Sequence, residues 1–254
     1  MTPIRALPVQ ALLALSLVAC AAAEAHARNA DTLPSPVPQA EDIIPTLPPP
    51  HEELMRFLLQ GVENPALLKG YRVAIVAADG VDGFDLEVPK RFLLERGAAV
   101  SVIAPRPIAP HSGADALPAK ITMQNPSGED DATTVDAYVD PAAAVSYDLV
   151  YVPSHPDTPT AYDSPDSIAL VQAVQRAGRP IFLSGNAILL ALKAGLLPPA
   201  ETSTAAVADS AGRVPALAPR TGARLYSNRD AYTMPAFMGR LVRVLLADPP
   251  VASR

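Results

Sequence analysis

The sequence predicts an α/β fold, a three-layer sandwich with a mostly parallel sheet and helices on both of its faces. Short apolar runs of the buried-strand type recur along the chain, and most are followed by a segment of helical period. Glycine or proline stands at most of the junctions. Strand then helix, repeated, implies right-handed crossovers between parallel strands. Hydrophobic residues make up 49% of the 254, against 18% charged, which allows a large buried core and excludes a disordered chain.

Taken in order, Tyr71–Ala77 is the first strand, followed by a Gly/Asp loop and a helix over Asp85–Arg96 that stops at Gly97. Ala99–Ala104 is the next strand, ended by Pro105. The stretch 106–133 is irregular and polar, and reads most simply as a solvated loop. Ile121–Gln124 within it and Thr134–Val139 after it are minor strands. Tyr147–Val152 is a core strand and Pro165–Ala177 a helix. Pro180–Leu183 is a strand with a helix over Ala187–Lys193 behind it, closed by Gly195. Ala223–Ser227 is the last strand and Met234–Ala247 the last helix. Ligands of open α/β sheets bind beyond the carboxyl ends of the strands, so the loops that matter are 78–85, 153–157, 184–187 and 227–232.

Ahead of this body, residues 1–27 carry a positive start, a short apolar run and small residues, the features of a secretory signal. The apolar run Ala6–Ala19 is too short for a stable membrane span. Two cleavage sites compete. Leu17-Val18-Ala19-Cys20 resembles a bacterial lipobox, which would lipidate Cys20 and anchor the protein to a membrane from the periplasmic side. Ala25-His26-Ala27 fits an ordinary signal peptidase and a soluble periplasmic or secreted product. Residues 28–51 are Pro-rich and lack period, a semi-rigid tether that reaches roughly 70 Å when extended. Residues 52–69 lead into the body through a short amphipathic helix over Glu52–Gln60, and the domain occupies 70–248.

Composition removes several function classes. Net charge is −6, a sign that repels phosphate backbones, so nucleic acid is not an expected partner. Cys20 is the only cysteine, so the folded body has no internal disulfide, no cysteine zinc site and no thiol nucleophile. No dinucleotide or P-loop glycine pattern follows the first strand, and no cofactor is expected. Asp79, Asp82 and Asp85 recur every third residue, but calcium loops need six to eight oxygens at another spacing, so no metal is expected.

Four motifs in order resemble the ThiJ/PfpI family of the class I glutamine-amidotransferase-like superfamily. They are Ala78-Asp-Gly-Val-Asp-Gly-Phe-Asp-Leu-Glu-Val-Pro89, Tyr147-Asp-Leu-Val-Tyr-Val-Pro153, Ala177-Gly-Arg-Pro-Ile-Phe-Leu-Ser-Gly-Asn-Ala187 with Ala194-Gly-Leu-Leu197, and Ser227-Asn-Arg-Asp-Ala-Tyr-Thr-Met-Pro-Ala-Phe237. The resemblance implies a flavodoxin-like sandwich and, as in many relatives, a homodimer. It places the family's catalytic cysteine on Gly185 and the residue after it on Asn186. The two glycines of the family's oxyanion turn fall on Ser154 and His155, and the acidic partner of the cysteine on Asp85. An aspartate there resembles the isonitrile-hydratase branch. The missing cysteine also resembles the degenerate C-terminal domain of large-subunit catalases, from which no catalase activity follows.

Two functional expectations result. The first is an exported, membrane-tethered, non-catalytic module that binds a small molecule or a protein, its pocket lined by Asp85, His155, Ser184 and Asn186. Ser154, Gly185 and Arg229 are further candidate ligand contacts. The second is a hydrolase or hydro-lyase in which Ser184, or a water activated by Asp85 and His155, does the chemistry. Each candidate has a structural alternative. Asp85 stands where a helix N-cap belongs. Ser184 is one residue before the vacated position, so strand alternation should turn its hydroxyl to the other face. His155 lies on a neighbouring loop from which it could reach Ser184 or bond to backbone.

Overall fold

The structure is a computed structural model that describes residues 48–106, 119–125, 131–156, 162–197, 224–228 and 231–251. The expected signal peptide with Cys20, most of the tether, and Arg229 lie outside the described residues. The chain divides into two compact units, Met1–Arg56 and Phe57–Arg254. Helix α1 (Pro49–Leu59) begins three residues before the helix expected from the sequence, because Pro49 and Pro50 can both occupy a first turn that needs no N–H partners. Glu52 and Arg56 pair one turn apart on it.

The second unit carries the α/β body. Its six-stranded sheet has the order β6-β3-β1-β7-β8-β9, with every neighbouring pair parallel. The strands are β1 (Arg72–Val76), β3 (Ala99–Ala104), β6 (Ala137–Tyr138), β7 (Leu149–Val152), β8 (Ile181–Ser184) and β9 (Leu225–Asn228). From β1 the chain moves outward to β3 and later returns to β1's other side as β7. The topological switch therefore lies between β1 and β7, whose carboxyl ends open on residues 78–82 and 153–156. The two minor strands expected from the sequence part company. β4 (Ala119–Gln124) pairs antiparallel with β5 (Asp131–Val135) in a separate small sheet that also holds β2 (Val81–Asp82), whereas β6 extends the main sheet.

Strand alternation sorts the core into two halves. Val73, Ile75, Leu149, Tyr151 and Phe182 face helices α2 (Gly83–Glu95) and α5 (Met234–Leu246). Ala74, Val76, Val150, Val152, Ile181 and Leu183 face α3 (Pro165–Arg176) and α4 (Ile188–Lys193). This is the sandwich that the sequence predicts. Burying each large apolar side chain on these faces contributes about 1.5–3 kcal/mol. On the first face Tyr151, Phe182 and Tyr226 stand in register on adjacent strands, and the Phe182 and Tyr226 rings stack at 4.6 Å.

Helix α2 carries a proline in its interior. Pro89 has no N–H for the carbonyl of Asp85, one turn earlier. The buried Tyr151 hydroxyl supplies the missing donor, at 2.8 Å from that carbonyl oxygen. A side chain from the middle of the sheet thus completes the helix ladder at the residue where α2 enters the site.

Candidate functional site

Strand β8 ends at Ser184, and Gly185 opens a 3-10 turn, Gly185–Ala187, that leads into α4. Gly185 holds the apex of this elbow with φ of +51°, in the left-handed region that favours glycine. A Cβ built on Gly185 would stand 2.8 Å from Ser154 Oγ, 3.1 Å from Ser154 Cβ and 4.0 Å from Asp85 Oδ2. The side chain of Ser154, at the end of β7, therefore fills the space that a side chain at the apex would use.

Asp85 lies in the first turn of α2 and is buried. It is not the cap of that helix. Asp82 takes that role, its Oδ1 accepting the Asp85 N–H at 3.0 Å, because the helix begins two residues earlier than the sequence suggests. The Asp85 carboxylate is left to turn inward. It accepts the Ser184 hydroxyl at 2.6 Å and, at 3.4 Å, the Ser154 N–H. Burial pushes its carboxyl up to about 6, helped by the charge of Asp82 and opposed by the bonds from Ser184 and Ser154. The three aspartates of the loop point to separate partners, since Asp79 Oδ1 receives the Thr122 N–H at 2.9 Å.

Ser184 departs from its expected direction. Alternation does place it opposite Leu183, but that is the face on which α2 lies, so its hydroxyl reaches Asp85. The hydroxyl is also buried, with the residue 1% exposed, which removes it from any ligand at the elbow. His155 does not reach it. The Ala78 N–H donates to His155 Nε2 at 2.9 Å, so that nitrogen is the acceptor and the proton sits on Nδ1. Nδ1 then faces the Pro153 carbonyl and the Tyr162 hydroxyl, each at 3.2 Å. Both ring nitrogens are engaged. Burial lowers the imidazole to about 4, against the Pro153 bond that favours the charged ring.

Asn186 ties the site together. Its Nδ2 donates to the His155 carbonyl at 2.8 Å, and its Oδ1 accepts the His155 N–H at 2.9 Å. These two backbone bonds fix which end of the amide is oxygen. The same Oδ1 also accepts the Ser154 hydroxyl at 2.9 Å and the Tyr162 hydroxyl at 2.5 Å. The expected pocket between Asp85, His155, Ser184 and Asn186 is thus closed by bonds among these residues and their neighbours. Neither main cavity among the described residues is lined by Asp85, Ser184 or Asn186. The one that touches His155, Tyr162 and Ser167 has about 10 Å³, room for roughly one water.

Gly185, Asp85 and the Ser154–His155 loop stand together beyond the ends of β1, β7 and β8, and the fold that carries them is shared with a group of solved structures. A ThiJ/PfpI domain protein from Brachyspira murdochii superposes with a TM-score of 0.52 at 13% identity, over 72% of this chain and 99% of its own. The fold is that of the ThiJ/PfpI and DJ-1 proteins. A Cys-to-Ala variant of a DJ-1 superfamily protein from Salmonella typhimurium gives 0.51 at 17% identity, over 72% of this chain and 94% of its own. Schizosaccharomyces pombe DJ-1 gives 0.51 at 14%, over 69% and 95%. Comparison by sequence matches no family model and no curated protein.

Two residues of this site escaped the sequence reading. Tyr162 lies two residues before the Ser164 cap of α3, and nothing in its surroundings marks it as polar-facing. Tyr151 could have been found, because Pro89 four residues after Asp85 announces a carbonyl in need of a donor.

Proposed function

We propose that this protein is an exported, membrane-tethered, non-catalytic module of the ThiJ/PfpI fold, acting by binding rather than turnover. The observation that carries the reading is the pair Gly185 and Ser154. At the elbow apex, where the fold's relatives are expected to present a nucleophile, there is no side chain, and the Ser154 hydroxymethyl group packs into its place. The other groups with nucleophile or base chemistry are committed elsewhere. Ser184 gives its proton to Asp85 inside the core, and both nitrogens of His155 are bonded to the protein.

The test is turnover. Wild-type protein is assayed against activated esters and an alkyl isonitrile beside Asp85→Asn and Ser184→Ala. Equal background rates in all three support the module. A wild-type rate that either substitution abolishes overturns it.

Export and anchoring rest on the N-terminal sequence. The mass of the mature N-terminus recovered from membranes separates a lipid-modified Cys20 from a soluble chain starting at Arg28. Self-association as a homodimer belongs to the same proposal, and the mass of the protein in solution tests it.

A further inference from the structure

Ser167 carries a hydroxyl into the core without an obvious reason. It lies in the first turn of α3 and is 1% exposed. Its backbone N–H is taken by the helix cap, donating to Ser164 Oγ at 3.4 Å. A serine inside a helix often returns its hydroxyl to a carbonyl one turn back. Among the described residues Ser167 Oγ reaches no such group and no other partner. A hydroxyl withdrawn from water and left unbonded costs the folded state about tenfold or more in its equilibrium constant.

The residue borders the cavity of about 10 Å³ that lies between the ends of β1 and β7 and the start of α3. Val76, Val152 and Leu190 supply apolar wall, and the other polar side chains of the lining are His155 and Tyr162. Both nitrogens of His155 are already bonded. Tyr162 Oη gives its proton to Asn186 Oδ1 at 2.5 Å and accepts the His155 N–H at 2.9 Å. That leaves room for one more donor on the phenol oxygen. His155 Nδ1–H stands 3.2 Å away, but the Pro153 carbonyl lies at the same distance and can take that proton instead. The cavity thus offers one proton, from Ser167, and one open acceptor, on Tyr162. Its lining holds no carboxylate and no Lys or Arg, so an ion would enter uncompensated. A volume of about 10 Å³ is also at the lower limit for a single water, which needs two to four polar partners.

We propose that this cavity binds one internal water, which accepts the Ser167 hydroxyl proton and donates to Tyr162 Oη, leaving His155 Nδ1–H to the Pro153 carbonyl. The water fastens the first turn of α3 to the segment that precedes it. Through Tyr162 it extends the chain of bonds that ends at Asn186 on the elbow turn. This inference goes beyond the binding reading above and does not rest on it, because hydration of the core is independent of turnover.

The test is made on the full chain in two ways. Water–protein NMR spectra of the wild type should show cross peaks from water to the methyl groups of Leu190 and Val152. Their NOE and ROE should have opposite signs, the signature of a water held as long as the protein takes to tumble. Ser167→Val fills the cavity with methyl groups and should abolish the peaks while Tyr162 keeps its hydroxyl. No peaks in the wild type overturn the proposal, and so do peaks that persist in a folded Ser167→Val protein, since exchange through Tyr162 would then explain them. Urea unfolding of Ser167→Ala is the second measurement, and its sign decides. If the water is held, alanine takes away one of its partners and the folding equilibrium constant should fall roughly three- to tenfold. If the cavity is dry, alanine removes an unbonded hydroxyl and the constant should rise. A rise overturns the proposal even where Ser167→Val fails to fold.

Discussion

Ser154 and Gly185 are complementary in volume: the hydroxyl of one stands 2.8 Å from the position the Cβ of the other would take. A side chain at the apex and a serine at the end of β7 exclude each other, and the sequence has the combination that fits. Gly185→Ala should therefore destabilise on two counts. The left-handed backbone costs about 1–2 kcal/mol with any Cβ, and overpacking against Ser154 adds about 1–3 kcal/mol. Ser154→Gly in the same chain should remove the second cost and leave the first. Urea unfolding of the two single variants and the double variant checks this as a cycle. Additive effects would show that the two positions do not share the space.

Asp85 contributes stability in mild acid that is lost at neutral pH. Its carboxyl has the ordinary value of 3.8 unfolded and about 6 folded. That contribution is fully present below about 3.8 and is lost progressively as pH rises through about 6, because only the unfolded chain gives up the proton freely in that window. Asp85→Asn keeps an acceptor for Ser184 and removes the buried charge. Denaturant unfolding should find the variant more stable than wild type at pH 8, by roughly 2–3 kcal/mol. The gain should vanish near pH 4. No gain at pH 8 would show that the ionised carboxylate is well solvated.

His155 carries the opposite slope. Its ring is held near 4 when folded against 6.5 unfolded, so the unfolded chain binds a proton first and stability falls as pH drops from 6.5 towards 4. Between pH 4 and 6 this offsets the gain from Asp85, and the wild type should change little. Asp85→Asn removes the offset and should expose the fall. Long-range proton–nitrogen NMR spectra of the ring should show Nδ1 protonated and Nε2 bare at pH 6, with no titration until near pH 4. A ring that titrates near 6.5 would mean that it is not buried in the folded protein.

The strand–helix alternation made the sandwich legible because buried parallel strands and helix stops are local signals. β3 runs over Ala99–Ala104, the residues the apolar run marks, and α3 and α5 start at Pro165 and Met234 as their periodicity indicates. Motif order also brought Asp85, Ser154, His155, Ser184, Gly185 and Asn186 to one end of the sheet. Direction was not legible. Which face of β8 lies over α2 depends on the crossover, so Ser184 could not be aimed from alternation alone. The cap of α2 was misplaced from Asp82 to Asp85 because both aspartates suit a cap and only the backbone of Val81–Gly83 decides between them. The role of Asn186 depends on three partners 24 to 32 residues away along the chain, which no spacing rule encodes.

Tyr151 and Pro89 form a pair that links the sheet to the helix on which Asp85 stands. The proline leaves the Asp85 carbonyl without its helical donor, and the tyrosine hydroxyl takes it at 2.8 Å in the buried core. Tyr151→Phe conserves the ring packing against Phe237 but orphans the carbonyl, which should cost about 1–3 kcal/mol. In a Pro89→Ala background the alanine N–H can close the ladder itself, so the same Tyr151→Phe change should cost about 1 kcal/mol less. Urea unfolding of the four proteins measures that coupling. An equal cost in both backgrounds would show that the hydroxyl serves some partner other than the carbonyl that Pro89 leaves free.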